Sequence, residues 1–126
     1  MALKVSYILR VLSDNITLDL FNKIAIESKI NSKQLMNGFT RKPFYSRIQR
    51  LIVIGLVKRS LGFLSLTSFG KVIYHCKLKI DAGLREFYNL KAVDTINSSD
   101  EMSEDVKQEL IKSIVNDEHI KVVLLR

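Results

Sequence analysis

The middle of this chain lacks acid. Between Glu27 and Asp81 lie 53 residues without a carboxylate, and the same stretch holds eleven lysines and arginines. A surface that needed only solubility would mix both signs, so a one-sign block of this length points to a polyanionic partner. Cysteine is nearly missing too. Cys76 is alone, which excludes an internal disulfide and fits a reducing, cytoplasmic setting. No apolar run approaches the roughly 18 residues that span a bilayer. The short Leu3–Leu12 segment carries Lys4 and Arg10 inside it and lacks a small-residue cleavage site, so it reads as a helix rather than a signal peptide. Glycine-rich phosphate loops, nucleophile elbows and paired carboxylates at a defined spacing are also missing. His75 and His119 are far apart, Cys76 falls on an apolar helical stripe as a small core hydrophobe, and the expectation is a protein with no metal, no cofactor and no catalytic residue.

What is there divides by charge. Residues 1–79 carry a net +11 and residues 80–126 a net −4, which together make the +7 of the whole 126-residue chain. An apolar content of 47% is that of a folded globular protein. No internal repeat or low-complexity tract interrupts it. The asymmetry suggests a binding part and a part with another task. We place the first at residues 1–92 and an acidic linker with a C-terminal helical appendage at residues 93–126.

Local signals give the element order. Leu3, Tyr7, Ile8, Val11 and Leu12 repeat at helical spacing, and Ser13-Asp14-Asn15 breaks that helix and caps the next. From Ile16 to Glu27 the positions Leu18, Phe21, Ile24 and Ala25 share a face. Asn31-Ser32 caps a short helix through Met36, which Asn37-Gly38 closes. Thr40 is the next cap, with Pro43 near the first turn of a helix that runs to Ile54 and buries Phe44, Ile48, Leu51 and Ile52. Gly55 stops it. Leu56–Ser60 and Phe63–Thr67 flank Leu61-Gly62 as two strands of a hairpin. Thr67 or Ser68 then caps a helix expected to reach about Leu90, with a stripe of Phe69, Val72, Ile73, Cys76, Ile80, Leu84, Phe87 and Tyr88. Thr95–Asp100 reads as a linker, Ser103 starts a helix through Val115, and for residues 119–126 periodicity leaves helix and strand open.

This order is mainly α with a small β-hairpin, and it is that of a winged helix-turn-helix with a long helix after the wing and further helical elements behind it. Two runs carry a more specific likeness: Thr40-Arg41-Lys42-Pro43-Phe44-Tyr45-Ser46-Arg47-Ile48-Gln49-Arg50-Leu51, and Gly55-Leu56-Val57-Lys58-Arg59 with Gly62–Thr67 and Gly70. They resemble the recognition helix and wing of small archaeal and bacterial winged-helix transcriptional regulators, over roughly residues 15–75. The wing tip is shorter than that pattern, which disfavours deep minor-groove contacts. The resemblance implies a protein that binds double-stranded DNA as a homodimer, with one helix in the major groove.

On that reading Arg47 and Ser46 are the expected base contacts, since a guanidinium matches the two acceptors of guanine. Arg41, Lys42 and Arg50 are expected on phosphates, and Lys33, Lys58 and Arg59 on the backbone to either side. Thr40 lies at the helix start. Tyr45 either leans on a sugar or packs half-buried. Arg47 and Arg50 could also be ordinary solvated charges, and strand alternation turns Lys58 and Arg59 to opposite faces. The long helix and the apolar C-terminal HIKVVLLR segment are the expected dimer surface, or they fold back on the core of a monomer. Two other functions fit the same fold: a winged helix serving as a protein-interaction or assembly module, and an architectural protein binding DNA without sequence preference. An effector ligand, the operator sequence and the sign of regulation are not legible.

Overall fold

The computed structural model describes residues 3–125; Arg126, the end of the apolar terminal segment, lies outside them. Asp14 shows how local chemistry sets the first elements. Its backbone is extended and its carboxylate accepts the Thr17 N–H, so it ends helix α1 (Val5–Leu12) and caps α2 (Asn15–Glu27). Ser28 then takes a φ of +63°, which turns the chain out of α2 into a two-residue strand β1 (Ile30–Asn31). Asn31 also caps α3 (Ser32–Met36) by accepting the Lys33 N–H. Thr40 stands at the N-cap of α4 (Arg41–Val53) as expected, but its hydroxyl makes no cap bond. Gly55, at φ +88°, takes the left-handed conformation that lets the chain leave α4 for the hairpin.

Strands β2 (Val57–Ser60) and β3 (Phe63–Leu66) pair antiparallel, with Val57 opposite Leu66 and Ser60 opposite Phe63. Leu61 and Gly62 both have positive φ, +53° and +80°, as a type I′ turn requires. On the other side β3 pairs with β1, Ile30 opposite Leu64, so the sheet has three strands in the order β1-β3-β2. The fold is therefore mainly helical with a small antiparallel sheet. Periodicity had no means of finding β1: two residues make no repeat, and the strand exists only through its pairing.

The chain divides into two units, Met1–His75 and Cys76–Arg126, inside helix α5 (Ser68–Arg85), close to the charge change at 79/80, whereas the expected boundary was at 92/93. In the first unit one core joins Leu20, Phe21 and Ile24 of α2, Leu35 of α3, Phe44, Ile48 and Leu51 of α4, and Leu56, Val57 and Leu64 of the hairpin. Leu20, not Leu18, is the fully buried leucine of α2, because the buried face includes Thr17 and is rotated by part of a turn. Ile52, expected inside, is half-buried at the edge. Thr67 locks the hairpin to α5: its hydroxyl donates to the Gly55 carbonyl and accepts the Gly70 N–H.

In the second unit the helix expected to reach Leu90 ends at Arg85. Glu86 leaves helical geometry and α6 (Phe87–Asn97) follows, so the expected linker at Thr95–Asp100 begins only after Asn97. The cause is side-chain demand. The Glu86 carboxylate is buried and accepts the N–H groups of Asn116 (2.6 Å) and Asp117 (3.0 Å), tying the start of α6 to the turn between α7 (Glu104–Ile114) and α8 (Glu118–Leu124). Those N–H bonds, Asn116 first, hold its carboxyl below the usual range against the opposing effect of burial. Residues 118–124 are thus helical, capped by Asp117. Val93, Ile111 and Val115 form the core of this unit. Lys107 is buried beside it, its ammonium donating to the Asn97 carbonyl at the end of α6, where a cation is favoured.

Candidate nucleic-acid interface

Helix α4 buries Phe44, Ile48 and Leu51, and a period of 3.6 residues sets the opposite face at Lys42, Ser46, Gln49, Arg50 and Val53, all exposed. Arg41 and Tyr45 lie on one flank. The Arg41 guanidinium stands 6.0 Å over the Tyr45 ring, which meets Phe44 edge-on at 5.1 Å, so Tyr45 packs along the helix with about two-fifths of its surface exposed. No acid sits in the first turn of α4, and Pro43 leaves only the N–H groups of Arg41 and Lys42 pointing out of its start. The helix dipole and two cations therefore add at one point.

Arg47 lies on the other flank and is held there. Its Nε donates to Asp14 Oδ2 at 2.7 Å and its Nη1 to the Pro43 carbonyl at 3.3 Å. One carboxylate thereby caps α2 and anchors α4. The Arg47 guanidinium, helped by the Thr17 hydroxyl and N–H, holds the Asp14 carboxyl well below the usual carboxylate range. Arg47 was expected to reach a base; its guanidinium is instead held by Asp14 and the Pro43 carbonyl, and the uncharged polar side chain exposed beside Ser46 on the free face is Gln49. Its signal was in the sequence, since residue 49 follows Ser46 by three positions, on the side of the helix turned away from 44, 48 and 51.

The other basic residues expected at the interface lie on neighbouring elements of the first unit. Lys33 is exposed on α3. Lys58 and Arg59 are both exposed on β2, on opposite faces: Lys58 shares its face with Ser65, and Arg59 shares the core-side face with Leu64 at its open end. Lys29 lies 4.5 Å over the Phe63 ring, at the β1 side of the sheet. Beside α4, a groove of about 490 Å³ runs along α1, lined by Leu3, Tyr7, Val11, Ser46, Gln49, Arg50, Val53 and Ile54.

Elsewhere one expectation changes. Cys76, expected in the core, is exposed, and with it Ile80, Leu84, Phe87 and Tyr88. The stripe is present in the sequence, but the second unit puts Ala82 and Val93 inside instead. Among the described residues no three histidine, cysteine, aspartate or glutamate side chains come together as metal ligands, and no helix is long and apolar enough to cross a membrane. No protein-family model matches the chain, and no curated protein or solved structure is significantly similar to it.

Proposed function

We propose that the first unit is a winged helix-turn-helix that binds double-stranded DNA, with α3 and α4 as the helix pair and β2–β3 as the wing, and that the protein regulates transcription as a homodimer in the cytoplasm. The observation that carries this reading is the free face of α4: Lys42, Ser46, Gln49 and Arg50 exposed side by side, with Arg41 at the helix start and no carboxylate from residue 28 to residue 80. An α-helix fits the major groove, and a glutamine amide pairs with N6 and N7 of adenine. Ser46 and Gln49 meet base edges. Arg41, Lys42 and Arg50 neutralise phosphates of the same groove, with Lys33 and the β2 pair Lys58 and Arg59 on the flanking backbone. Arg47 positions α4 on α2.

The exposed apolar residues of the second unit support the dimer. Ile80 and Leu84 are each more than half exposed, one turn apart on α5 with Cys76 one turn before them, and Phe87 and Tyr88 follow. A contiguous patch of this kind marks an interface. A second copy covering it would form the dimer that half-site recognition uses.

Fluorescence anisotropy on a randomised duplex pool, titrated from low to physiological salt and followed by sequencing of the bound fraction, tests this. The expected outcome is tight binding, a steep salt slope and an enriched palindrome. Gln49→Ala should relax preference at one A·T position by about 1–3 kcal/mol, whereas Lys42→Gln should weaken all sequences alike and reduce the salt slope by about 1. A steep slope without enrichment would make the protein architectural. No binding at low salt would refute the DNA reading and leave the basic face to a protein partner. Ile80→Asp should yield monomers in sedimentation, while mild oxidation should cross-link wild-type dimers through Cys76.

A further inference from the structure

The groove between α1 and α4 has the size of a ligand site, about 490 Å³ against the few hundred to 1,000 Å³ typical of small-molecule pockets. Its chemistry is one-sided. Leu3, just before α1, and Tyr7 and Val11 of α1 face Val53 and Ile54 across it; apart from the Tyr7 phenol, its polar groups, from Ser46, Gln49 and Arg50, come from α4. Arg50 is the one charged residue of the lining, and it has no ion-pair partner among the described residues. Neither α1 nor α4 contains a carboxylate. An apolar cation would be repelled here. A neutral apolar molecule would strip water from the guanidinium without replacing its hydrogen bonds. A carboxylate accepts two of them at once, and charge assistance makes these the strong ones.

The geometry points to a binding site for a small apolar carboxylate, its chain or ring between Leu3, Tyr7, Val11 and Val53 and its head on Arg50 with the Gln49 amide and Ser46 hydroxyl alongside. Because Ser46, Gln49 and Arg50 also belong to the DNA-reading face proposed above, the consequence of filling the site rests on that reading: ligand and duplex exclude each other. Occupancy then releases the operator, and the ligand's affinity falls by the same factor when DNA is bound.

The site is tested without DNA. NMR spectra of the full chain are recorded during titration with decanoate, decanol and decyltrimethylammonium, each below its micelle-forming concentration. Decanoate should shift the Gln49 side-chain amide and the Val11 and Val53 methyls, with decanol at least about tenfold weaker and the ammonium inert, since a charged hydrogen bond is worth roughly that factor or more. Arg50→Gln should bring decanoate down to the level of decanol while the remaining spectrum is unchanged. Equal affinity for decanoate and decanol in the wild type, shifts outside the groove, or no binding of decanoate overturns the proposal. So does a change in the sedimentation of the free protein on Val53→Asp, which would assign the groove to a contact between copies. Competition is read separately, by adding decanoate to the protein–duplex complex at constant sodium concentration. A complex that survives saturating decanoate overturns the exclusion, and a protein that never binds DNA leaves the spectral result standing.

Discussion

The two units bury apolar side chains with very different completeness. Met1–His75 gathers fourteen buried hydrophobic residues into one core, with Val5, Leu9, Ile26, Val53, Leu61 and Val72 more than half exposed around it; Cys76–Arg126 has only three in its main cluster against Ile80, Leu84, Tyr88, Val122 and Val123 more than half exposed. A core of three cannot offset the ordering of some fifty residues by hydrophobic burial alone. The second unit therefore leans on specific polar ties, Glu86 to the turn after α7 and Lys107 to the end of α6. The first unit has the larger core, whereas the second keeps apolar surface beside a small one, which the dimer proposed above would cover.

The most disruptive way to break this contrast is Phe44→Ala. It removes a fully buried ring from the centre of the larger core and should cost about 3–5 kcal/mol. If the units hold separate cores, NMR signals of Val93 and Ile111 keep their dispersion while those of the first unit collapse; simultaneous loss would show one cooperative unit. Gly70→Ala comes next. A Cβ there would overlap the Leu56 carbonyl oxygen, backbone that has nowhere to go, so α5 must shift off the hairpin. The measured midpoint in denaturant should fall by the equivalent of about 1–3 kcal/mol.

The polar ties separate the units by pH. Asp14 and Glu86 both have lowered folded-state pKa values, so the unfolded chain binds their protons more readily. Their stabilisation is complete above the unfolded carboxylate range near 4 and is lost as pH falls below it. Glu86→Gln should lower the melting temperature of the second unit at neutral pH and flatten its acid dependence, leaving the first unmoved; Asp14→Asn should do the reverse. A common shift of both transitions with either variant would refute the separation. The smallest change expected is at Leu61, which holds φ +53° and is 94% exposed. Leu61→Asn suits the turn better and should raise the first unit's stability by about 0.5–1 kcal/mol without altering DNA affinity.

Most local events were legible from short-range chemistry. Asp14, Asn31 and Ser103 cap their helices through N–H groups two or three residues on, so a window of four residues contains both partners. The Leu61-Gly62 turn and the end of α4 at Gly55 are of the same kind. The candidate site was legible as a helix and a charge block, but not in its division of labour. Arg47 meets Asp14 across 33 residues, and nothing near either residue announces the pair. Gln49 was legible in principle, though a search for cations passes over it.

By itself the sequence determined the helices of the first unit and most of their caps, that a hairpin follows α4, and that the positive charge falls within the first 79 residues. These follow from interactions between near neighbours and from composition. Tertiary structure alone decided that Ile30–Asn31 becomes a strand, that α5 ends at Arg85, that residues 118–124 form a helix, that Arg47 is bound while Gln49 is free, and that Cys76 faces outward. Each of those depends on a partner 30 or more residues away or on which face the rest of the fold covers, and a side chain's burial is settled by what packs on it, not by its own spacing.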